Sequence, residues 1–183
     1  MKNIYFLGSS VTYGAASNGH SFVDEIGKRG FNVFKNAVSG TTLVDEGEES
    51  YIKRLKTIKC PFKPDAFVCQ LSTNDATLNK PLRGNDVHSI EGAIKEIIRY
   101  VKNKYGCPIY FYTSPRYDSK HYEAMVELLS SLKDELGIGI INMWNDPCFD
   151  SNDKRYMADS IHPNKKGYVE LWTPLFIKKI QGD

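Results

Sequence analysis

Ser10 stands in Gly8-Ser9-Ser10-Val11-Thr12-Tyr13-Gly14, a hydroxyl on a turn bounded by glycines. A hydroxyl is a poor nucleophile until a base takes its proton, and the base needs a third group to hold its tautomer. Asp159-Ser160-Ile161-His162-Pro163, far along the chain, offers both. This spacing lets the Asp159 carboxylate reach Nδ1 of His162 while Nε2 faces elsewhere. If such a pair attacked a carbonyl, the developing oxyanion would need donors. The backbone N–H groups of Ser10 and Gly40 and the side-chain amide of Asn74 are the candidates. Arg116 and Tyr117, in Thr113-Ser114-Pro115-Arg116-Tyr117, are candidates to line a substrate pocket.

Each residue alone has a plainer reading. Ser10 could be a turn residue, and His162 could cap a following helix. Asn74 could tie its own turn, and Gly40 could be there for a positive φ. Asp75 reads as a carboxylate that ties a loop. His20, His88 and His121 read as surface residues near helix starts. The acidic run Asp45, Glu46, Glu48 and Glu49 reads as a solvated helix start, and Trp144 and Trp172 as core or rim anchors.

Short apolar runs at Ile4–Leu7, Asn32–Phe34, Ala66–Leu71, Ile109–Tyr112 and Ile138–Met143 are of strand length and suit a parallel sheet covered on both faces. Between them lie helical stripes. Ile90, Ala93, Ile94, Ile97, Val101 and Tyr105 make one; Tyr122, Met125, Leu129, Leu132 and Leu136, ended by Gly137, make another. Shorter helices are expected at Ser21–Arg29, Glu49–Ile58 and Lys165–Lys179. Strand and helix in alternation predict a three-layer α/β/α sandwich with a five-stranded parallel sheet. In such sheets ligands bind beyond the C-terminal strand ends. The candidate residues all fall there.

At 183 residues, with 41% hydrophobic and 25% charged side chains, the chain has the size and composition of one folded domain, 1–183. A formal charge of +2 gives no argument for nucleic acid or a membrane surface. No apolar run approaches the ~18 residues of a membrane span, and the first run is too short for the core of a signal peptide. The cytosol is therefore the expected compartment. The four cysteines, Cys60, Cys69, Cys107 and Cys148, have no metal-ligand spacing and read as free structural thiols.

Taken together, Gly8-Ser9-Ser10-Val11, Gly40, Ser72-Thr73-Asn74-Asp75 and Asp159-x-x-His162-Pro163 resemble the four blocks of the SGNH hydrolases, also called GDSL esterases and lipases. The order matches over nearly the whole chain. Two positions depart from the pattern: Ser9 stands where the family usually has Asp, and Ser72 where it usually has Gly. The resemblance implies the flavodoxin-like fold of that family. It also implies Ser10 as nucleophile, His162 and Asp159 as its triad partners, and Ser10, Gly40 and Asn74 as the oxyanion hole. No metal or organic cofactor is implied.

The expected substrate is a small-molecule ester with a short acyl group, such as an acetylated carbohydrate, because the short connections leave little chain for a deep acyl tunnel. Lysophospholipase and thioesterase activity occur in the same family and stay open, as does an inactive member of the fold. A rival of another class is a flavodoxin-like binding protein whose first loop cradles phosphate. It gives no joint role to Asp159, His162 and Asn74. Nothing in the sequence sets an oligomeric state.

Overall fold

The computed structural model describes residues 1–182. Strands β1 (Asn3–Gly8), β2 (Asn32–Ala37), β3 (Ala66–Gln70), β4 (Ile109–Tyr112) and β5 (Gly139–Ile141) form one parallel sheet in the order β2-β1-β3-β4-β5. The helices are α1 (Ser10–Tyr13), α2 (Phe22–Lys28), α3 (Tyr51–Thr57), α4 (Thr73–Thr77), α5 (Ile90–Lys104), α6 (Lys120–Leu136), α7 (Lys165–Gly167) and α8 (Thr173–Gln181).

Successive strand residues point to opposite faces, and both faces are covered. Tyr5 and Leu7 of β1 join a core with Leu55 of α3, Ile94 of α5 and Leu129 of α6. Ile4 and Phe6 join a second core with Phe22 of α2 and Phe176 of α8. This is the three-layer sandwich expected of the sequence. Serine starts five of the helices: the Oγ atoms of Ser21, Ser50, Ser72, Ser89 and Ser119 each accept a first-turn backbone N–H.

The boundaries differ from the expected ones where a local rule is overridden. β2 runs to Ala37 rather than Phe34; as an edge strand it tolerates Lys35, whose Nζ lies 2.6 Å from Asp24 Oδ2. The other edge strand, β5, is shorter than its apolar run. The short helices α1 and α4, at strand ends read as loops, were not expected. The expected C-terminal helix is interrupted by a π-turn at Tyr168–Trp172. Pro174 follows it, and a proline ring clashes with the carbonyl four residues earlier in a regular α-helix. The wider turn avoids that clash, and Thr173 N–H donates to the Tyr168 carbonyl instead.

Other side chains also depart from expectation. His20 and His121 are half-buried; His20 Nε2 meets Glu25, and His121 Nε2 lies 2.8 Å from the Lys80 carbonyl. The acidic run lies in the loop before α3 rather than in its first turn, with Asp45 accepting from Ser50 Oγ and Glu46 paired with Lys80. All four cysteines are free. Cys60 and Cys69 are buried and half-buried Cys107 packs against the core, so the reading as structural thiols fails only for exposed Cys148. Among the described residues no helix is long and apolar enough to cross a membrane.

Candidate active site

β1 ends at Gly8, and the chain turns at once into α1. A Cβ on Gly8 would lie 1.8 Å from Thr12 Oγ1 and 2.8 Å from Gln70 Oε1, so the turn is too tight for any side chain there. Gln70, at the end of the neighbouring β3, fixes the turn from below. Its Oε1 accepts from Ser9 N at 2.9 Å and from Thr12 Oγ1 at 2.9 Å. With its one proton so used, Thr12 Oγ1 accepts from the Tyr112 hydroxyl at 2.7 Å. Tyr168 Oη donates to the Val11 carbonyl at 2.7 Å. These buried bonds leave Ser10 as the first residue of α1, 8% exposed, with its hydroxyl turned outward to a histidine.

That histidine is His162. Its Nε2 lies 2.8 Å from Ser10 Oγ, and its Nδ1 lies 2.8 Å from Asp159 Oδ2 and 3.1 Å from Oδ1. The loop that carries both is closed on itself. Met157 bridges Pro163, and the Ala158 N–H donates to the His162 carbonyl at 2.8 Å. Asp159 Oδ1 also accepts the backbone N–H groups of Ile161 and His162, at 2.8 and 2.7 Å. Partial burial pushes the Asp159 carboxyl up, but those two N–H groups and the imidazole outweigh it and hold the carboxyl below its ordinary range. A carboxylate kept ionised beside Nδ1 fixes the tautomer in which Nε2 can accept a proton from Ser10.

Two other predicted residues, Gly40 and Asn74, are joined through Thr41. Gly40 follows β2 with φ 79°, and nothing lies within 4 Å of where its Cβ would be; the backbone conformation, not space, calls for glycine. Asn74, in α4 beyond β3, donates from Nδ2 to the Thr41 carbonyl at 2.8 Å, which joins it to the Gly40 loop. Asp75 is fully buried, and its carboxylate accepts Leu43 N at 2.7 Å and Val44 N at 3.0 Å. It is the loop tie that its sequence context suggested. Among the described residues, the backbone N–H groups of Ser10 and Gly40 donate to no protein acceptor.

Among the described residues Arg116 and Tyr117 make no hydrogen bond to Ser10 or His162. They line a cleft of about 860 Å³ with Trp144 and Phe149, and Ser160 of the Asp159–His162 loop stands at its edge. The Arg116 guanidinium lies 5.0 Å over the Trp144 ring and donates to Glu123 at 2.9 Å. Tyr117 packs against Tyr122 and Trp144, and burial pushes its hydroxyl up to about 12. Gln70, Thr12 and Tyr168, which brace the turn, are positions that residue type and spacing do not single out. A glutamine at the end of an otherwise apolar strand was the one sign available. Among the described residues no group of three or more His, Cys, Asp or Glu is arranged to hold a metal ion.

The model of the GDSL-like Lipase/Acylhydrolase family matches residues 6–169. No curated protein matches the chain by sequence. Among solved structures, a protein from Lactobacillus plantarum superposes with a TM-score of 0.80 at 16% identity, covering 98% of this chain and 94% of that one. A lipase/acylhydrolase from Enterococcus faecalis gives 0.73 at 20% identity, covering 100% and 96%. A carbohydrate esterase family 2 enzyme with a carbohydrate-binding domain, from Corynascus thermopiles (Myceliophthora fergusii), gives 0.68 at 15% identity, covering 98% and 65%.

Proposed function

The chain belongs to the GDSL-like lipase/acylhydrolase family, and from that membership we propose a serine esterase that works through Ser10, His162 and Asp159. His162 Nε2 takes the Ser10 proton as Oγ attacks the ester carbonyl. The tetrahedral oxyanion is held by the N–H groups of Ser10 and Gly40 and by the Asn74 amide. Collapse expels the alcohol, which receives the proton from His162, and leaves an acyl-enzyme. Water, deprotonated by the same imidazole, then releases the acid. Asp159 keeps the imidazole oriented and stabilises its protonated form. The observation that carries this reading is the unbroken hydrogen-bonded series from Ser10 Oγ through His162 to Asp159.

For the substrate, the reading is a short-chain ester of a bulky, polar alcohol, with acetylated carbohydrates as the class. The cleft at Arg116 and Tyr117 supports this: beside the triad loop it is rimmed by Arg116, Asp118, Lys120 and Glu123, polar and charged groups suited to the hydroxyls of a sugar. The fold likeness to a carbohydrate esterase agrees with it. The whole chain, residues 1–183, acts as one domain in this reading.

The test is hydrolysis of a short-chain aryl ester by wild type and Ser10→Ala. Turnover is expected to vanish in Ser10→Ala with the melting temperature kept, and a fluorophosphonate is expected to label Ser10. Label recovered on Ser9 or Ser39, or turnover retained without Ser10, overturns the assignment.

A further inference from the structure

Two of the three proposed oxyanion donors are backbone N–H groups on different strands' ends, Ser10 after β1 and Gly40 after β2. Backbone donors cannot be re-aimed by a rotamer. Their convergence depends on what holds the two strand ends together. One side chain spans them.

Arg54 lies on the sheet-facing side of α3, 3% exposed. Its guanidinium donates five hydrogen bonds, all to uncharged oxygens. Nε reaches the Glu49 carbonyl at 2.9 Å, and Nη1 reaches the Asn36 carbonyl at 2.8 Å and Asn36 Oδ1 at 2.5 Å. Nη2 reaches the Gly8 carbonyl at 2.8 Å and Thr41 Oγ1 at 3.1 Å. The guanidinium also sits 5.4 Å over the Tyr51 ring. A buried charge costs the fold unless its donors are satisfied, so a position that keeps one without a carboxylate partner calls for a reason.

The bonds supply that reason. Gly8 immediately precedes the nucleophile turn. Asn36 and Thr41 bracket Gly40. Thr41 Oγ1, while accepting from Arg54, donates to the Val38 carbonyl at 2.7 Å and so braces the loop from inside. The Thr41 carbonyl in turn accepts from Asn74 Nδ2. All three donors therefore lead back to one rigid, planar group. We propose that Arg54 is the positioning residue of the oxyanion hole, its guanidinium fixing the Ser10 turn against the Gly40 loop so that their N–H groups meet at one point. Its fixed positive charge lies behind those donors and favours an oxyanion over the neutral carbonyl. The proposal rests on the triad and oxyanion reading above.

Lysine keeps the charge but offers a single point of donation in place of the fork. Arg54→Lys is therefore expected to lower kcat on the short-chain aryl ester by about 10- to 100-fold with KM little changed, the pattern of an interaction made in the transition state. Thr41→Val, a milder change on a half-buried loop, leaves one Arg54 N–H without its acceptor and is expected to lower kcat by about 5- to 10-fold in a protein that still folds, at a somewhat lower melting temperature. Combined with Asn74→Ala, Arg54→Lys should cost less than the product of the single losses, because both act through one hole.

A side chain that only supported the fold would lower the melting temperature and leave kcat of the folded protein alone. Arg54→Lys and Thr41→Val that both hold kcat within about twofold of wild type overturn the proposal. If Arg54→Lys does not fold, Thr41→Val decides by itself: reduced kcat supports the proposal, and unchanged kcat overturns it. Ser10→Ala and Asn74→Ala run beside them keep the two readings apart. Activity lost in those variants but kept in the Arg54 and Thr41 variants removes only the role of Arg54. Activity kept in Ser10→Ala removes the triad.

Discussion

The Asn74 amide has two N–H bonds and the structure engages its Nδ2 with the Thr41 carbonyl, which leaves one hydrogen for a substrate oxygen. A donor that meets charge only as it develops acts on the transition state and not on binding. Asn74→Ala is therefore expected to lower kcat by roughly 10²–10³ with KM little changed. Steady-state kinetics and a melting curve on the one variant check it; kcat within about threefold of wild type would take Asn74 out of the mechanism. The pH profile is set by the neighbouring pair. Because Asp159 is held below the ordinary carboxylate range, it stays ionised in mild acid where a free carboxyl begins to take up a proton. Ionised throughout, Asp159 then adds no step of its own to the acid limb of kcat/KM, and the base of the proposed mechanism must be neutral to act. Activity should be full on the alkaline side and fall with a slope of one proton as pH drops. A flat profile between about pH 5 and 8 would count against a histidine base.

At the level of elements, the site is a set of loop ends held by buried polar side chains. Asp75 ties α4 to the segment after Gly40 through two backbone N–H groups. Asp75→Asn would turn an amide N–H toward one of those donors, and one buried N–H would lose its acceptor. Such a loss costs about 1–3 kcal/mol, to be read as a lowered midpoint in urea unfolding. Legibility in the sequence followed the same division. β1, β3 and β4 could be read because burial on both faces makes them continuous apolar runs. β2 exceeds its apolar run because an edge strand tolerates Lys35, and because buried Asn36 is satisfied by Arg54 and the Tyr5 hydroxyl. Ser10, Asn74, Asp159 and His162 stood out because the proposed reaction calls for those chemical types at strand ends. Gln70 and Arg54 did not, since a lone polar residue in a buried stripe takes its meaning from partners far away in the chain. Gln70 meets Ser9 across 61 positions and Arg54 meets Gly8 across 46.

For the whole molecule, the two cores lie on opposite faces of one thin sheet, so loss of either exposes the other's backing. Phe176 of α8 is fully buried, its ring 4.3 Å from that of Phe22 and 5.1 Å from that of Tyr112. Phe176→Ala is expected to cost about 3–5 kcal/mol. Denaturation should remain a single transition, with fluorescence and esterase activity lost together; activity lost well before the tryptophan signal would show that the layers unfold independently. The same layering separates Ser10 and His162 by 152 positions, while Tyr168 Oη reaches back 157 positions to brace Val11. Chains leave the ribosome N-terminus first. Ser10 thus leaves the ribosome well before His162, its proposed base, so a chain made as far as the serine but not the histidine carries an unactivated hydroxyl. In the proposed mechanism hydrolytic competence waits until His162 and Tyr168 have been made and have docked on the first strand's end, which makes the reaction itself a readout of folding across that span.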